Sequence, residues 1–517
     1  MTSFLKTKLC SAAEAVRLIR DEKTVACSGF IGSAHPEALT AEIERQFKSA
    51  GRPRSLTLVY AAGQGDRQAR GLNHLAHEGL VKRVIGGHWA LAPNLGKLAI
   101  AGRIEAYNFP QGVICQLYRD IAAGRPGCIT HIGLNTFIDP VNEGGRQNNI
   151  TPPGMVERVE LGGRPWLWYK SFPIHVGLIR AAAADPLGNL SMEGEAIVGE
   201  VLAIAQAARN SGGLVLAQVA ELLPDPIAPQ RVRVPGILVD RIVKADPCEH
   251  EQTFSEIYNP AYCFPPPVGS SNRPAMEPLP MDERRVIAAR ACDELPKNAV
   301  VNLGIGMPEG IAGIAAERGW LDTFTLTVES GPIGGMPASG LSFGAACYPH
   351  AIVDQPAQFD FYDGGGLDFA ALGAAQIDKE GNVNVSKFGP RLAGVGGFVN
   401  ITQTAKSLAF CGTFTAGGLE VELSNGTIRI AREGSVRKFV RQIEQISFSS
   451  QTSRRNNRKV LYVTERAVFR LTPAGLELIE LAPGIDLQKQ VLDLMEFKPV
   501  IREIRPMPAH VFGKPEP

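Results

Sequence analysis

The sequence predicts an α/β protein made of two related α/β domains fused in tandem, with mostly parallel sheets. Two observations predict this fold class. First, β-prone runs such as Ser55–Tyr60 and Ala299–Leu303 alternate with segments whose apolar residues recur at helical spacing. This alternation is typical of parallel sheets covered by helices. Second, the later half of the chain repeats the order of elements found in the earlier half.

The repeat begins near the start of each half with a helix, a strand and a glycine-containing loop. In the first half these are Ala13–Arg20, Thr24–Ala26 and Ser28–Ala38. In the second half they are Asp282–Leu295, Ala299–Val301 and Leu303–Gly310. Asp282 is a suitable N-cap, because its carboxylate can accept hydrogen bonds from the first helical turn.

A second pair of matching segments lies farther along each half. Asp185–Leu190 shares an Asp-x-x-Gly-Asn pattern with Asp378–Val383, and an alanine-rich run precedes both. We therefore expect a first domain at residues 1–255, enlarged by an insertion, and a second domain at residues 281–517. Residues 256–280 contain seven prolines. Proline excludes regular helix and central strand, so this stretch is predicted to be a semi-rigid linker.

Composition excludes several classes of function. The chain has 517 residues, with 53 Lys+Arg against 52 Asp+Glu, and therefore lacks the basic footprint of a nucleic-acid-binding protein. No apolar stretch reaches transmembrane length, and the N-terminus lacks the apolar core of a signal peptide. The nine cysteines form no C-x-x-C pair, and their odd number argues against a disulfide framework. We expect a cytoplasmic protein without nucleic-acid or membrane partners.

Glu329 is the first candidate for a catalytic residue. It follows the β-prone run Phe324–Val328 and precedes a turn rich in glycine and proline, Gly331–Gly335. Glycine and proline break the strand sharply, which places a carboxylate at the carboxyl end of a strand, where open α/β sheets bind ligands. A strand-end glutamate that caps a helix or pairs with an arginine is the alternative.

Other glycine clusters also follow apolar runs. Gly304-Ile-Gly306 continues to a third glycine at Gly310, one residue too late for the dinucleotide pattern G-x-G-x-x-G. No G-x-x-x-x-G-K-[ST] sequence occurs, which excludes an ordinary P-loop. Two more glycine clusters are Gly63-Gln-Gly65 and Gly394-Val-Gly396-Gly397. Each is either a tight turn or a loop with exposed backbone N–H groups that can hold an anion.

Together these features resemble the family I coenzyme A-transferases. The resemblance is carried by the duplicated halves, by Glu329 in Val-Glu-Ser-Gly-Pro-Ile-Gly-Gly, and by the stretches Phe359–Asp368 and Gly394–Phe398. The N-terminal run Gly71–Trp89 is most similar to the propionate/acetate branch, in which the two halves, separate subunits in some relatives, are fused. The resemblance covers nearly the whole chain.

The resemblance implies an acetate/propionate-type transferase that moves coenzyme A between an acyl-CoA and a short-chain carboxylic acid by a ping-pong mechanism. Glu329 would be the nucleophile and would carry CoA as a glutamyl thioester. No permanently bound cofactor is implied, since CoA is both substrate and covalent intermediate. The family forms homodimers or homotetramers, which is the expected assembly. The identity of the acid is not encoded in any pattern of this sequence.

The resemblance also assigns roles to other residues. Gly396 and Gly397 match the oxyanion loop, with Gly396 as the first choice of donor, and Gln111 matches a Pro-Gln-Gly element that faces the acyl site. Candidate CoA-binding residues are Gly394, Val395, Ile305 and Gly306. The alternative, that Gln111 is only a residue of a turn, is left open by the sequence.

No metal site is expected, because His74-Leu-Ala-His77-Glu78 has the wrong order and spacing for H-E-x-x-H zinc ligation. Two other functions remain open. An acyl-CoA hydrolase would use the same glutamyl intermediate but resolve it with water. A ligand-sensing or scaffolding protein would be expected to lack the glutamate or the Gly-x-Gly-Gly loop, and both are present.

Overall fold

The computed structural model describes residues 7–269, 278–424 and 426–513. The strands of the first half are β1 (Thr24–Cys27), β2 (Leu56–Tyr60), β3 (Val81–Gly86), β4 (Glu105–Asn108), β5 (Gly127–Thr130), β6 (Val156–Leu161), β7 (Arg164–Lys170), β8 (Val176–Ala184), β9 (Leu190–Ser191), β10 (Leu214–Leu222) and β11 (Arg241–Lys244). Those of the second half are β12 (Ala299–Leu303), β13 (Phe324–Thr327), β14 (Pro332–Ile333), β15 (Met336–Pro337), β16 (Ala346–Cys347), β17 (Ala351–Ile352), β18 (Phe369–Gly373), β19 (Gln376–Ile377), β20 (Val383–Asn384), β21 (Lys387–Phe388), β22 (Arg391–Leu392), β23 (Ser407–Cys411), β24 (Thr415–Ala416), β25 (Glu420–Ser424), β26 (Thr427–Arg432), β27 (Val436–Arg437), β28 (Lys459–Val463), β29 (Ala467–Thr472), β30 (Gly475–Leu481) and β31 (Val500–Pro506).

The helices alternate with these strands. They are α1 (Ala12–Val16), α2 (Glu37–Ala50), α3 (Pro93–Ile100), α4 (Gln111–Ala122), α5 (Val201–Asn210), α6 (Glu283–Cys292), α7 (Gly310–Glu317), α8 (Gln355–Asp363), α9 (Phe398–Thr404), α10 (Ser450–Arg455) and α11 (Leu487–Gln490). Single 3₁₀ turns occupy Leu72–Leu75, Pro229–Arg231, Gly236–Leu238, Pro247–Glu249, Pro260–Tyr262, Met307–Glu309, Leu321–Thr323, Gly340–Ser342, Leu492–Leu494 and Ala509–Phe512. No helix within the described ranges combines the length and apolarity needed to cross a bilayer.

The chain forms two compact units whose boundaries differ from a simple division into halves. The first unit contains Met1–Arg273 together with Val328–Asp360 and Gly389–Asn400. The second contains Pro274–Thr327, Phe361–Phe388 and Ile401–Pro517. Two segments of the second half therefore belong to the first unit, whereas the predicted boundaries at 255 and 281 describe the sequence repeat. Residues 270–277 of the predicted linker lie outside the described residues.

The first unit is built on a parallel sheet with the strand order β11-β10-β8-β1-β2-β3-β4. All four residues of β1 are buried, as expected for a parallel strand covered on both faces. Apolar side chains from β1, β2 and β3 pack with those of α1, α2 and α3 in one large core. Ser11 and Glu14 form a capping box that begins α1 and contributes about 1 kcal/mol.

In the second unit the strands follow the order β13-β12-β18-β23-β28-β29-β30-β31. The strands from β13 to β28 are parallel, whereas β29 pairs antiparallel with both β28 and β30. α6 begins where the sequence predicted, because the carboxylate of Asp282 accepts hydrogen bonds from the backbone N–H groups of Arg284 and Arg285. The parallel part of the sheet places the carboxyl ends of β13, β12, β18 and β23 along one edge.

The two halves share their topology, which confirms the predicted pair of related α/β domains. The order β28-β23-β18-β12-β13 repeats β11-β10-β8-β1-β2 when strands are matched in chain order. The Asp-x-x-Gly-Asn segments make the same turn. The amide N–H of Asn189 donates to Asp185 Oδ1 at 2.9 Å, and that of Asn382 donates to Asp378 Oδ1 at 2.8 Å.

Candidate active site

Glu329 lies in a tight turn between β13 and β14. Its side chain is partly buried. The turn is closed by a hydrogen bond from the Gly331 N–H to the Val328 carbonyl at 3.0 Å. Gly331 has φ 128°, and a Cβ at this position would lie 2.1 Å from the Val353 carbonyl oxygen, so that only glycine fits. The glycine that the sequence placed after the strand therefore fixes the position of the carboxylate in the first unit.

The loop Gly394–Gly397 is bound to the ends of two strands of the first unit. The Gly396 N–H donates to the Gly87 carbonyl at 2.8 Å, one residue beyond β3. The Val395 N–H donates at 3.1 Å to Oδ1 of Asn108, the last residue of β4. Gly394 has φ 76°, and a Cβ there would lie 2.8 Å from the Trp89 ring. Glycine at this position is therefore required by both conformation and space.

Gln111 contacts this loop directly. It is the first residue of α4, and its backbone N–H donates to the Gly396 carbonyl at 2.9 Å. The side chain is only 2 % exposed. Its Nε2 is buried and makes no hydrogen bond with any of the described residues. An unpaired buried donor costs about 1–3 kcal/mol, and such groups are rare unless a ligand or a catalytic role accounts for them.

The backbone donors of the loop differ in their availability. The Gly396 N–H, the first choice from the sequence, is already used by the Gly87 carbonyl. The Gly397 N–H makes no hydrogen bond within the described part of the chain. Gly397 directly precedes α9, whose first N–H groups carry partial positive charge. Gly397 is therefore better suited than Gly396 to donate to an oxyanion in this conformation.

The remaining candidates lie in the second unit. Ile305 and Gly306 follow β12 at the carboxyl edge of the sheet. Ile305 is 49 % exposed, and Gly306 has φ 90° with open space where a Cβ would be. Both are accessible to a ligand, and their role in binding CoA stays a prediction. Gln111 and the loop 394–397 are thus brought together in one unit, which also contains Glu329.

Asn108 and His88 were not among the residues predicted from the sequence. Asn108 is fully buried, and its Nδ2 donates to the carbonyls of Gly86 at 2.8 Å and Gly87 at 2.6 Å. It therefore holds the end of β3 as well as the loop. Its position directly before the Phe-Pro-Gln-Gly element was the available signal.

His88 lies on the other side of the loop. Its Cβ is 3.6 Å from the position that a Cβ on Gly396 would occupy. Burial and the positive charges of Arg67 and Arg391 lower the pKa of His88 to about 4. The imidazole is therefore neutral at pH 7 and adds no charge beside the loop.

The histidines near residue 74 contact carboxylates of α2. His74 lies between two carboxylates, with Nδ1 2.6 Å from Glu44 Oε2 and Nε2 2.9 Å from Glu37 Oε1. Within the described ranges, no group of three or more His, Cys, Asp or Glu side chains is arranged to hold a metal ion. The histidine–glutamate contacts are ion pairs that link α2 to the segment 74–77.

Chemically, the first unit combines a strand-end carboxylate with two unpaired N–H donors, Gln111 Nε2 and the Gly397 amide. Two N–H donors that lack an acceptor can stabilise the oxyanion that forms when a nucleophile attacks a carbonyl. A carboxylate nucleophile and an oxyanion site are the two parts that acyl transfer through a covalent intermediate requires.

Comparison with known proteins shows similarity to coenzyme A transferases. The family model for coenzyme A transferase matches residues 10–245. Caffeate CoA-transferase from Acetobacterium woodii is 43% identical over 517 residues, covering 98% of both chains. Acetate CoA-transferase YdiF from Escherichia coli K12 is 42% identical over 512 residues, covering 98% of this chain and 95% of the relative.

A solved structure extends the likeness to the fold. The acyl-CoA transferase YdiF from E. coli O157:H7, crystallised as a thioester complex with CoA, is 40% identical, with a TM-score of 0.92. The match covers 98% of this chain and 96% of that one. Since the sequence likeness extends over the full length of these relatives, the chain belongs to the coenzyme A transferase family.

Proposed function

We propose that this protein transfers coenzyme A between an acyl-CoA and a short-chain carboxylic acid, with Glu329 as covalent carrier. The Glu329 carboxylate attacks the thioester carbonyl, which gives an acyl–glutamyl anhydride and releases CoA as a thiolate. The thiolate then attacks the glutamyl carbonyl of the anhydride, forming the glutamyl-CoA thioester and releasing the first acid. An incoming carboxylate reverses both steps and leaves as the new acyl-CoA.

The buried, unpaired Nε2 of Gln111 is the observation that carries this proposal. Each addition step produces a negatively charged oxygen, and a preorganised donor lowers the barrier because no reorganisation is needed when the charge develops. The Gly397 N–H, in the loop that the Gln111 backbone contacts, supplies a second donor.

The range of acids is proposed on chemical grounds and from the relatives. The similar proteins are named for acetate and caffeate, which share only the carboxylate. We propose short-chain acids of the acetate and propionate type as acceptors, in a homodimeric or homotetrameric enzyme. Initial rates with acetate, propionate, butyrate and caffeate as acceptors, at fixed acetyl-CoA, test this directly. If CoA were transferred faster to caffeate than to every short-chain acid, the proposal of short-chain acceptors would be wrong.

A trapping experiment tests the covalent step. Incubation with acetyl-CoA and no acceptor acid should add one CoA, less one water, to the intact mass. The thioester should map to the peptide that contains Glu329, and hydroxylamine should remove it. CoA attached to any of the nine cysteines, with Glu329 unmodified, would overturn the mechanism. Release of CoA at the full rate without an acceptor would identify a hydrolase instead.

Gln111→Ala tests the oxyanion site. Loss of one oxyanion donor lowers kcat by roughly 100- to 1,000-fold in other enzymes, and we expect a similar loss here with little change in KM. Gln116→Ala is the matched control, because Gln116 lies on the same helix but donates to the Pro356 carbonyl at 3.1 Å. Equal effects of the two substitutions would remove Gln111 from the catalytic machinery.

A further inference from the structure

Lys438, in the second unit, is a buried cation that pairs with no group among the described residues. It is only 8 % exposed, and its carbonyl accepts a hydrogen bond from the Ile377 N–H at 2.8 Å. Its Nζ lies 2.5 Å from the position that a Cβ on Gly412 would occupy. Within the described ranges, this ammonium makes no hydrogen bond and no ion pair.

The ammonium lies at the carboxyl edge of the parallel sheet. Gly412 directly follows β23, and the neighbouring strand β18 ends at Gly373. The Ala374 carbonyl oxygen lies 3.4 Å from the same Cβ position on Gly412. A Cβ on Gly373 would meet no atom within 4 Å, so the edge is open there. Ligands of open α/β sheets bind at this edge.

The charged neighbours do not neutralise Lys438. The Glu465 carboxylate is used by the Arg466 Nε at 2.6 Å and by the Phe414 N–H at 2.8 Å. The other titratable neighbour is the Cys411 thiol, whose pKa is raised by burial, against the effect of Lys438, to about 12. That thiol is therefore neutral at pH 7. An unpaired buried cation is costly, which indicates that an anion completes the site.

We propose that Lys438 binds a phosphate group of the acyl-CoA substrate. The proposal rests on the proposed function, in which CoA is the phosphate-bearing ligand. The anionic groups of an acyl-CoA are its phosphates, and a lysine ammonium binds phosphate as a point charge. A buried ammonium beside an open carboxyl edge can therefore pair with one of them.

The test compares substrates that differ in their phosphates. They are acetyl-CoA, acetyl-dephospho-CoA, acetyl-4′-phosphopantetheine and acetylpantetheine, each assayed with the wild type and Lys438→Met. A hydrogen-bonded charge contributes about 1.5–3 kcal/mol, so KM for acetyl-CoA should rise roughly 10- to 100-fold. Acetylpantetheine, without phosphate, should show no difference. The substrates lose their phosphates one step at a time in this order. The first substrate for which wild type and Lys438→Met have the same KM therefore lacks the phosphate that Lys438 binds.

Lys406→Met is the matched control, because Lys406 is exposed and paired with Asp368 Oδ1 at 2.7 Å. It should leave every KM unchanged. An equal loss by Lys438→Met with acetylpantetheine would show a structural role and overturn the proposal. If inorganic phosphate inhibited the wild type but not Lys438→Met, while KM for acetyl-CoA stayed unchanged, the site would bind free phosphate and the CoA assignment would be wrong.

A pH series on the wild type needs no variant and decides the case if Lys438→Met does not fold. Burial lowers the pKa of Lys438 to about 8, against the attraction of Glu465 and Cys411. The ammonium is therefore lost as pH rises through about 8, and calorimetric Kd for CoA should increase above that pH. A Kd that stays constant from pH 7 to 9.5 would overturn the proposal. Because calorimetry measures binding alone, it remains informative even if transferase activity is absent.

Discussion

At the residue scale, the position of Glu329 was predictable because its determinants are local. A β-prone run followed by Gly331 and Pro332 specifies a strand that ends in a tight turn. The choice between Gly396 and Gly397 was not predictable. It depends on the hydrogen bond from the Gly396 N–H to the Gly87 carbonyl, which joins segments far apart in the chain. No local pattern encodes such a pairing.

Shortening Glu329 separates covalent catalysis from binding. Glu329→Asp keeps the charge but withdraws the carboxylate by about 1.5 Å, the length of one carbon–carbon bond. A misplacement of about 1 Å can cost roughly 100-fold, so transfer should fall at least that far and no enzyme–CoA thioester should form. The aspartate can still orient a water molecule, so slow acyl-CoA hydrolysis should persist or increase.

Glu329→Ala is the companion variant in the same assays. It should lose both transfer and hydrolysis while still binding CoA, because the nucleophile and the general base are both removed. Transfer and hydrolysis are measured side by side, together with CoA binding by calorimetry. Near wild-type transfer by Glu329→Ala would show that the glutamyl mechanism is wrong for this protein.

His74 makes stability depend on pH. Both of its ring nitrogens contact carboxylates, which accept but do not donate when ionised, so both nitrogens carry protons. Burial opposes this charge, but the hydrogen bonds to Glu37 and Glu44 outweigh burial and raise the pKa of His74. The stabilisation is complete below the unfolded pKa of about 6.5 and is lost as pH rises through the higher folded pKa.

We therefore expect His74→Gln to lower the melting temperature at pH 6 and to have a smaller effect at pH 9. The loss at pH 6 should correspond to about 1.5–3 kcal/mol, the range for hydrogen bonds to charged groups. His77→Gln is the control, because His77 is more exposed and its side chain pairs with one carboxylate among the described residues, that of Glu44 at 2.7 Å. A difference between wild type and His74→Gln that stays constant from pH 6 to 9 would contradict this account.

At the element scale, Asn108 joins three pieces of backbone. It ends β4, donates to the carbonyls of Gly86 at the end of β3 and of Gly87 just beyond it, and accepts from the N–H of Val395. The strands themselves follow from their β-prone sequences. The way in which their ends hold a distant loop does not, because it depends on the Asn108 side chain and on backbone hydrogen bonds between segments far apart in the chain. Asn108 is the side chain that joins the loop 394–397 to both strand ends.

Asn108→Asp should uncouple the loop from the strand ends. A carboxylate still accepts from Val395 but cannot donate to Gly86 and Gly87, and it adds a buried charge. We expect a kcat reduced by about 10-fold or more and a loss of stability of about 2–4 kcal/mol. Asn210→Asp is the control, because Asn210 is exposed and its side-chain amide donates to the Ala122 carbonyl at 2.7 Å, away from the loop 394–397. An unchanged kcat in a folded Asn108→Asp protein would show that the loop does not depend on this contact.

At the scale of the whole molecule, the duplication was visible in the sequence because its turns are local. The paired Asp-x-x-Gly-Asn segments form the same hydrogen-bonded turn after corresponding strands. Which segments of the chain belong to each compact unit could not be predicted from the sequence. Val328–Asp360 and Gly389–Asn400 come from the second half but belong to the first unit, through buried contacts that sequence periodicity does not record.

Those contacts show how the first unit depends on the second half. Gln355, at the start of α8, donates through Nε2 to Glu200 Oε1 at 2.9 Å, and its N–H donates to the Gly199 carbonyl at 3.0 Å. Phe343 packs on Phe30 with ring centroids 5.9 Å apart. Leu392 belongs to the large core of the first unit. A fragment that ends before these segments exposes the apolar surfaces they cover.

Cutting the chain between residues 271 and 272 tests this dependence. We expect fragment 1–271 alone to be insoluble, because part of its core is missing. Co-expression with fragment 272–517 should give a soluble complex with CoA-transferase activity, since Gln111 lies on one fragment and Glu329 on the other. Losing the covalent link removes a local concentration in the millimolar range, so specific activity should fall on dilution, unlike that of the intact chain. Solubility and cooperative thermal unfolding of fragment 1–271 by itself would show that the second half is not needed to complete the first unit.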